Sequence, residues 1–125
     1  MRKLLLLSLA TLSMNASAEV ISLTAISTPP NCRAGQQCDI YGYHEIHIIN
    51  ASYEPETFHY GYQLCIEGIC DNAQNVITVY PGQRWDNTRQ SHLTVRMAEG
   101  KHNYTALTEC GKERVVNGYT IKAKR

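Results

Sequence analysis

The chain has 125 residues, of which 43% are hydrophobic and 18% are charged, and its formal net charge is +1. This length predicts a single domain, and a charge near zero argues against nucleic acid as a partner. The leading apolar run, Leu4 to Leu12, is much shorter than the ~20 residues of a membrane-spanning helix, and no later run is long enough, so we expect no transmembrane segment.

The N-terminus has the pattern of a secretory signal peptide. Met1 to Lys3 is a short basic start, Leu4 to Leu12 is the apolar core, and Ala16 to Ala18 supplies the small residues of a cleavage site. We therefore expect a signal peptide over 1–18, cleaved near Ala18, and one mature domain over 19–125 that is periplasmic or secreted. An oxidising compartment of this kind permits disulfide bonds between cysteines.

Charge is distributed unevenly along the mature chain. Residues 34–83 contain six acidic side chains and no Lys or Arg, whereas nine basic and four acidic side chains lie from Arg84 onward. Two alternatives follow from this distribution. Either strands from the two halves interleave and their charges pair or are solvated, or the surface is bipolar and docks onto neighbours.

The first predicted strand, Val20 to Ile26, ends at Pro29 and Pro30, which cannot donate to a β-ladder. The loop Asn31 to Asp39 follows, and its two cysteines make a local Cys32–Cys38 disulfide the simplest pairing.

Ile40 to Ile49 alternates with a period of two and is predicted as the second strand. One face carries Ile40, His44, Ile46 and Ile48, and the other carries Tyr41, Tyr43, Glu45, His47 and Ile49. The tyrosine face has two alternatives: it is covered and contributes to the core, or it is an exposed aromatic patch for a partner.

A strand, a tight turn and a disulfide are predicted together in the segment Phe58 to Cys70. Its apolar side chains fall on every second position and require a core: Phe58, Tyr60, Tyr62, Leu64 and Ile66. A two-residue turn at Glu67 and Gly68 places Cys65 opposite Cys70. Directly opposed strand residues have Cα atoms roughly 4.5 to 5.5 Å apart, which suits a disulfide.

Four further strands and one loop are predicted in the second half. The strands are Val76 to Tyr80, the segment marked by Leu93, Val95 and Met97, His102 to Cys110, and Val115 to Ala123. The loop Pro81 to Gln90 contains Trp85 between Arg84 and Arg89. Trp and Arg dominate interface hot spots, so this loop is either an interface or a site where Trp85 covers one end of the core.

About seven short strands, separated by turn signals and without helical periodicity, predict an all-β, two-sheet antiparallel sandwich. The strand order, VITVYPG at 76–82, LTVRM at 93–97, Gly100 and Tyr104 are similar to immunoglobulin-like and fibronectin-type modules. This resemblance implies an Ig-like topology and a tyrosine corner at Tyr104. The chain departs from the pattern because no tryptophan lies on the Phe58 strand and no cysteine pair bridges the sheets. A superfold of this kind carries no function with it.

Cys110 remains after the two local pairings. It is either a buried or idle thiol or an intermolecular disulfide that links a dimer or a partner. The topology implied by the resemblance sets Cys110 at the end of the sandwich opposite the two disulfides.

The sequence carries little evidence for catalysis or metal binding. His44 and His47 are three positions apart on a strand and therefore lie on opposite faces, and His59 faces away from the core, which is poor spacing for a chelate. No GxSxG, HExxH or P-loop occurs. We expect no enzymatic activity, no metal and no cofactor.

The expected function is therefore a non-enzymatic protein–protein interaction module, a small periplasmic or envelope subunit or accessory of a larger assembly. The alternative is a secreted or periplasmic enzyme inhibitor that uses the disulfide-braced loop from Cys32 to Cys38.

Overall fold

The computed structural model describes residues 18–25 and 31–125, so the predicted signal peptide lies, except for Ala18, outside the described residues. Pro29 and Pro30 also lie outside them. The described residues form seven strands: β1 Ala18–Ala25, β2 Gln37–Asn50, β3 Glu56–Ile66, β4 Ile69–Val79, β5 Arg84–Arg96, β6 Gly100–Cys110 and β7 Glu113–Ala123.

The strands form two antiparallel sheets. One has three strands in the order β1-β2-β5, and the other has four in the order β4-β3-β6-β7. This arrangement confirms the predicted all-β sandwich. The strands close over each other because alternating side chains give each sheet one apolar face, and the two apolar faces bury each other.

The core consists of two clusters, one toward each end of the sandwich. The cluster at the disulfide end includes Cys32, Cys38, Ile40, Leu64, Ile66, Tyr104 and Ile121. The cluster at the other end includes Ile46, Ile48, Tyr62, Val79 and Cys110. Cys110 therefore lies at the end away from both disulfides, as expected.

The β3–β4 hairpin has the predicted register. Cys65 pairs with Cys70 at a Cα–Cα distance of 4.1 Å, and Ile66 pairs with Ile69. The turn residue Gly68 has φ 78°, and Glu67 has φ 53°. Positive φ at both central residues is the requirement of a type I′ turn, whose twist matches that of the flanking strands.

The disulfide loop between Cys32 and Cys38 packs against the rest of the sandwich. The cysteine Cα atoms lie 5.5 Å apart. The amide of Ala34 donates to the carbonyl of Lys124 at 2.8 Å, and the amide of Gly35 donates to the carbonyl of Met97 at 2.8 Å. These contacts fix the loop to the ends of two strands.

The sequence-based boundaries of β4 and β5 were wrong. The predicted loop Pro81 to Gln90 is a turn of a few residues, after which β5 begins at Arg84 and pairs with β2 along its length. Likewise β4 begins at Ile69 rather than at Val76. Both segments are rich in polar residues, so their alternation does not produce an apolar stripe, and backbone pairing with a neighbouring strand decides their conformation.

Tyr104 does not form the hydrogen bond of a tyrosine corner within the described residues. Its side chain is buried, its ring centroid lies 5.4 Å from that of Tyr119, and its hydroxyl has no hydrogen-bond partner in the part of the chain that the structure describes. Burial raises the pKa of Tyr104 to about 12. Tyr104 therefore serves as core packing.

Asn50 organises the end of the sandwich opposite the disulfides. Its side-chain amide donates to the carbonyls of Glu54 at 2.9 Å and Val79 at 2.8 Å, and its side-chain oxygen accepts from Ser52. Its backbone amide donates to the carbonyl of Gln83, and its backbone carbonyl accepts from Gly82. The side chain is fully buried, so Asn50 joins two turns while all its polar groups are satisfied.

We expect Asn50→Ala to lower the free energy of unfolding by about 2–4 kcal/mol, because the buried carbonyl of Val79 and the partly buried groups of Glu54 and Ser52 lose their partner at once. Chemical denaturation measures this change. Asn103→Ala is the matched control: Asn103 also accepts a side-chain hydrogen bond, from Thr120, but it is partly solvated. A loss of less than about 0.5 kcal/mol in Asn50→Ala would contradict the assignment.

Candidate interaction face

Five large apolar side chains lie together on the outer face of the three-stranded sheet. They are Ile21 and Leu23 on β1 and Tyr41, Tyr43 and Ile49 on β2, and each is between 40% and 48% exposed. The register sets Ile21 opposite His47 and Leu23 opposite Glu45, so apolar and charged side chains alternate on this outer side of the sheet, called here the apolar face. Tyr41 and Tyr43 are thus exposed rather than part of the core, and their contact with a partner stays a prediction.

A hydrogen-bonded charge cluster lies within the apolar face. His47 contacts Asp86 through Nδ1 at 2.5 Å and Glu45 through Nε2 at 2.6 Å. The Tyr43 hydroxyl donates to Glu45, and the Arg84 guanidinium donates to Asp86. When His47 is protonated, the positive charges of His47 and Arg84 therefore balance the negative charges of the two carboxylates.

The pKa shifts in this cluster follow from its geometry. The hydrogen bond to Asp86, and then that to Glu45, raises the pKa of His47. The same hydrogen bonds lower the pKa of the two acids. The bond with His47 lowers the pKa of Glu45, whereas for Asp86 the bond with Arg84 has the larger effect and the bond with His47 the next largest. The favourable interaction is therefore present between the lowered pKa values of the two acids and the raised pKa of His47, and it is lost as pH falls through the former or rises through the latter.

At the disulfide end of the apolar face, Tyr41 stacks on His92 of β5. The ring centroids lie 4.6 Å apart with an interplanar angle of 11°. Asp39 fixes His92 by a contact of 2.9 Å to Nε2 and accepts a hydrogen bond from Thr94 at 2.6 Å. The hydrogen bond with Thr94 lowers the pKa of Asp39, and the hydrogen bond with His92 is the next largest cause. The ring of Tyr41 is thus held against the imidazole of His92.

The five predicted interface residues do not form one site. Tyr41, Tyr43 and Arg84 share the outer face of the three-stranded sheet, because Arg84 pairs with Ile49. Trp85 pairs with Ile48 on the inner face and packs on Tyr60, with ring centroids 5.0 Å apart. Its position corresponds to the predicted lid over the core.

Arg89, the fifth predicted interface residue, lies 3.7 Å from Asp71 and joins the edge strands of the two sheets. Asp71 also accepts from the backbone amide of His92. Arg89 therefore takes part in closing one side of the sandwich.

A buried polar cluster occupies the interior behind the apolar face. His44 Nε2 contacts the Ser91 hydroxyl at 2.7 Å, and Nδ1 contacts the Thr108 hydroxyl at 2.9 Å and that of Thr24 at 3.3 Å. Burial, followed by the positive charge of Arg89, lowers the pKa of His44 to about 4. Hydroxyl groups can donate or accept, so they satisfy both nitrogens of a neutral imidazole.

Gly42 makes room for this cluster. A Cβ atom at Gly42 would lie 2.8 Å from the Ser91 hydroxyl oxygen and 3.2 Å from His44 Nε2. The sequence placed His44 on the inward face but gave no signal for Ser91 or Thr108, because these partners depend on strand register and on which sheet lies opposite.

The Cys110 thiol is fully buried and unpaired, and burial raises its pKa to about 11. This geometry corresponds to the buried thiol of the two sequence-based alternatives. A disulfide to a second chain would require the sulfur atom to leave the core.

Residues 18–25 and 31–125 contain neither a grouped set of metal ligands nor a membrane-spanning helix. Within these ranges no three His, Cys, Asp or Glu side chains are grouped as a metal site requires. In the same ranges no helix is long and apolar enough to cross a membrane.

Comparisons with known proteins give little information on function. No family model matches the chain, and no curated protein matches it. The chain is similar to a solved structure, Pseudomonas fluorescens alkylpurine DNA glycosylase AlkC bound to DNA containing an abasic site analog, with 13% sequence identity and a TM-score of 0.46. The match covers 90% of this chain and 32% of that chain. A likeness at this level carries no argument about function.

The buried His44 predicts a loss of stability in mild acid. The unfolded chain takes up a proton near pH 6.5, whereas folded His44 does so near pH 4, so the free energy of unfolding falls as pH drops through this window, by at most about 3 kcal/mol. Denaturation at several pH values measures this decline. The decline should be weaker in His44→Gln and unchanged in His59→Gln, whose side chain is exposed. Equal declines in both variants would contradict the assignment.

We expect a thiol reagent to leave the folded, unreduced protein unmodified over minutes, because Cys110 is inaccessible and protonated. After denaturation without reductant, mass spectrometry should detect one modified residue per chain, Cys110. Rapid labelling of the folded protein would contradict the buried thiol, and three or five labelled sites after denaturation would contradict the disulfide pairing.

Proposed function

We propose that this chain is an exported, non-enzymatic protein–protein interaction module that binds its partner through the apolar face. The partner is a protein of the cell envelope, and the chain acts as a small periplasmic or envelope-associated subunit or accessory of a larger assembly.

The clustering of the exposed apolar side chains carries this proposal. Single exposed apolar residues are normal, whereas a contiguous patch rimmed by polar groups is typical of an interaction site. Ile21, Leu23 and Tyr43 lie on two neighbouring strands, with the charge cluster of His47 among them. Two tyrosines supply broad contact area with few rotatable bonds, as is common in interfaces.

Export is supported by the signal-peptide pattern and by the cysteines. Four of the five cysteines form two disulfides within the chain. Structural disulfides persist in oxidising compartments and are rare in the cytosol.

The burial of Ser91 and His44 supports the non-enzymatic part of this proposal. These residues form a hydroxyl–imidazole pair of the kind that nucleophilic catalysis uses. Both side chains are at most 1% exposed, so a substrate has no route to the Ser91 oxygen.

The alternative of an enzyme inhibitor receives no specific support from the disulfide loop. An inhibitory loop has to project into a cleft, whereas Ala34 and Gly35 are held by backbone hydrogen bonds to Lys124 and Met97.

The proposal is tested by fractionation of a gently solubilised envelope extract from the producing cell. The native chain should elute with a large assembly during size-exclusion chromatography. Leu23→Ser combined with Tyr43→Ser should elute as a free monomer, because the apolar contact area is lost while the core is untouched.

Val76→Ser combined with Val116→Ser is the matched control. Both valines are exposed apolar residues on the outer face of the other sheet, so this variant should remain in the assembly. A native chain that elutes as a monomer, or an apolar-face variant that remains in the assembly, would overturn the proposal.

A further inference from the structure

Two lysines lie directly opposite each other on the outer face of the four-stranded sheet. Lys101 of β6 pairs with Lys122 of β7, close to the disulfide end. Like charges in directly opposed positions destabilise a sheet. Neither lysine has an ion-pair partner in the part of the chain that the structure describes.

Arg33 and Lys124 extend this row of cations beyond the strand end. They form a parallel β-bridge, in which the amide of Ala34 donates to the carbonyl of Lys124 at 2.8 Å and the amide of Lys124 donates to the carbonyl of Cys32 at 3.2 Å. The disulfide between Cys32 and Cys38 closes the same loop. The backbone under Arg33 and Lys124 is therefore fixed before any ligand binds, which lowers the entropic cost of binding.

The cations surround a concave site with a volume of about 340 Å³, called here the basic pocket. It is lined by Asn31, Cys32, Arg33, Lys122, Lys124 and Arg125. Arg125 pairs with Glu99 at 3.3 Å, but the described residues include no acidic partner for Arg33, Lys122 or Lys124. Three of the four cations that line the pocket are therefore uncompensated within the part of the chain that the structure describes.

We propose that the basic pocket binds a multivalent phosphate group, such as a diphosphate or the phosphorylated headgroup of a lipid. The arginine guanidinium can donate two parallel hydrogen bonds to phosphate oxygens, and the lysines supply point charges around them. The volume is in the range of small-ligand sites and exceeds the needs of a single phosphate ion. Four cations in one short row are few for a nucleic-acid track, whose affinity rests on many phosphate contacts.

Titration of the purified exported protein with inorganic pyrophosphate, followed by two-dimensional NMR at low salt, tests the proposal. Amide shifts should saturate at Arg33, Lys122 and Lys124 and weaken as salt is added. Acetate at matched ionic strength should produce no saturable shift. A second arm uses phosphatidylcholine vesicles with and without cardiolipin, whose headgroup carries two phosphates. Binding in this arm assigns the phosphate to a lipid headgroup, and binding of pyrophosphate alone assigns it to a soluble ligand.

Lys122→Gln combined with Lys124→Gln should weaken binding at least about tenfold, since each charged hydrogen bond contributes about 1.5–3 kcal/mol. Lys112→Gln combined with Arg114→Gln removes the same charge at the opposite end of β7 and should bind as the native chain does. Thermal unfolding checks that both variants are folded. No saturable binding in either arm, or equal losses in the two variants, would overturn the proposal.

Discussion

The structure depends on the hydrogen bonds of one buried imidazole. His44 lies on β2, and its partners Thr24, Ser91 and Thr108 lie on β1, β5 and β6. A single side chain therefore connects all strands of one sheet to the sheet that faces it. A buried polar group without partners costs about 1–3 kcal/mol, so any alternative register that separates these groups is disfavoured. Apolar contacts alone discriminate less, because Ile40, Ile46 and Ile48 pack in several ways.

Fixing the register of β2 also determines the outer surface. Side chains on a strand alternate, so a slip of one residue would bring Tyr43 into the core and expose His44 to water. Because His44 is held inside, Tyr41, Tyr43 and Ile49 are held outside. The apolar face is thus the reverse side of the buried polar cluster. A surface held in this way needs little ordering when it binds, which would reduce the conformational entropy lost by the proposed docking of a partner.

The sequence predicts those parts of the structure whose causes are local. The β3–β4 hairpin follows from alternation, a glycine turn and two cysteines, and its predicted pairing of Cys65 with Cys70 is confirmed. Trp85 could not be assigned in the same way, because its strand carries polar side chains and exists through pairing with β2. The exposure of Tyr41 was also open, since a period of two separates two faces but does not identify the covered one. Ser91 and Thr108 become partners of His44 only after both sheets are assembled.

The uneven charge along the chain has two structural consequences rather than one. Part of the acidic segment pairs with the basic segment across strands, as in Asp71 with Arg89 and Asp39 with His92, so the halves interleave. The cations of the basic pocket remain outside these pairs. Surface ion pairs contribute little to stability, so the fold loses little because Arg33, Lys122 and Lys124 have no acidic partner among the described residues, and these cations stay available for an anion. The basic pocket is lined by the loop before β2 and the end of β7, whereas the apolar face lies on β1 and β2, so the proposed anion and the proposed protein partner would not compete for the same side chains.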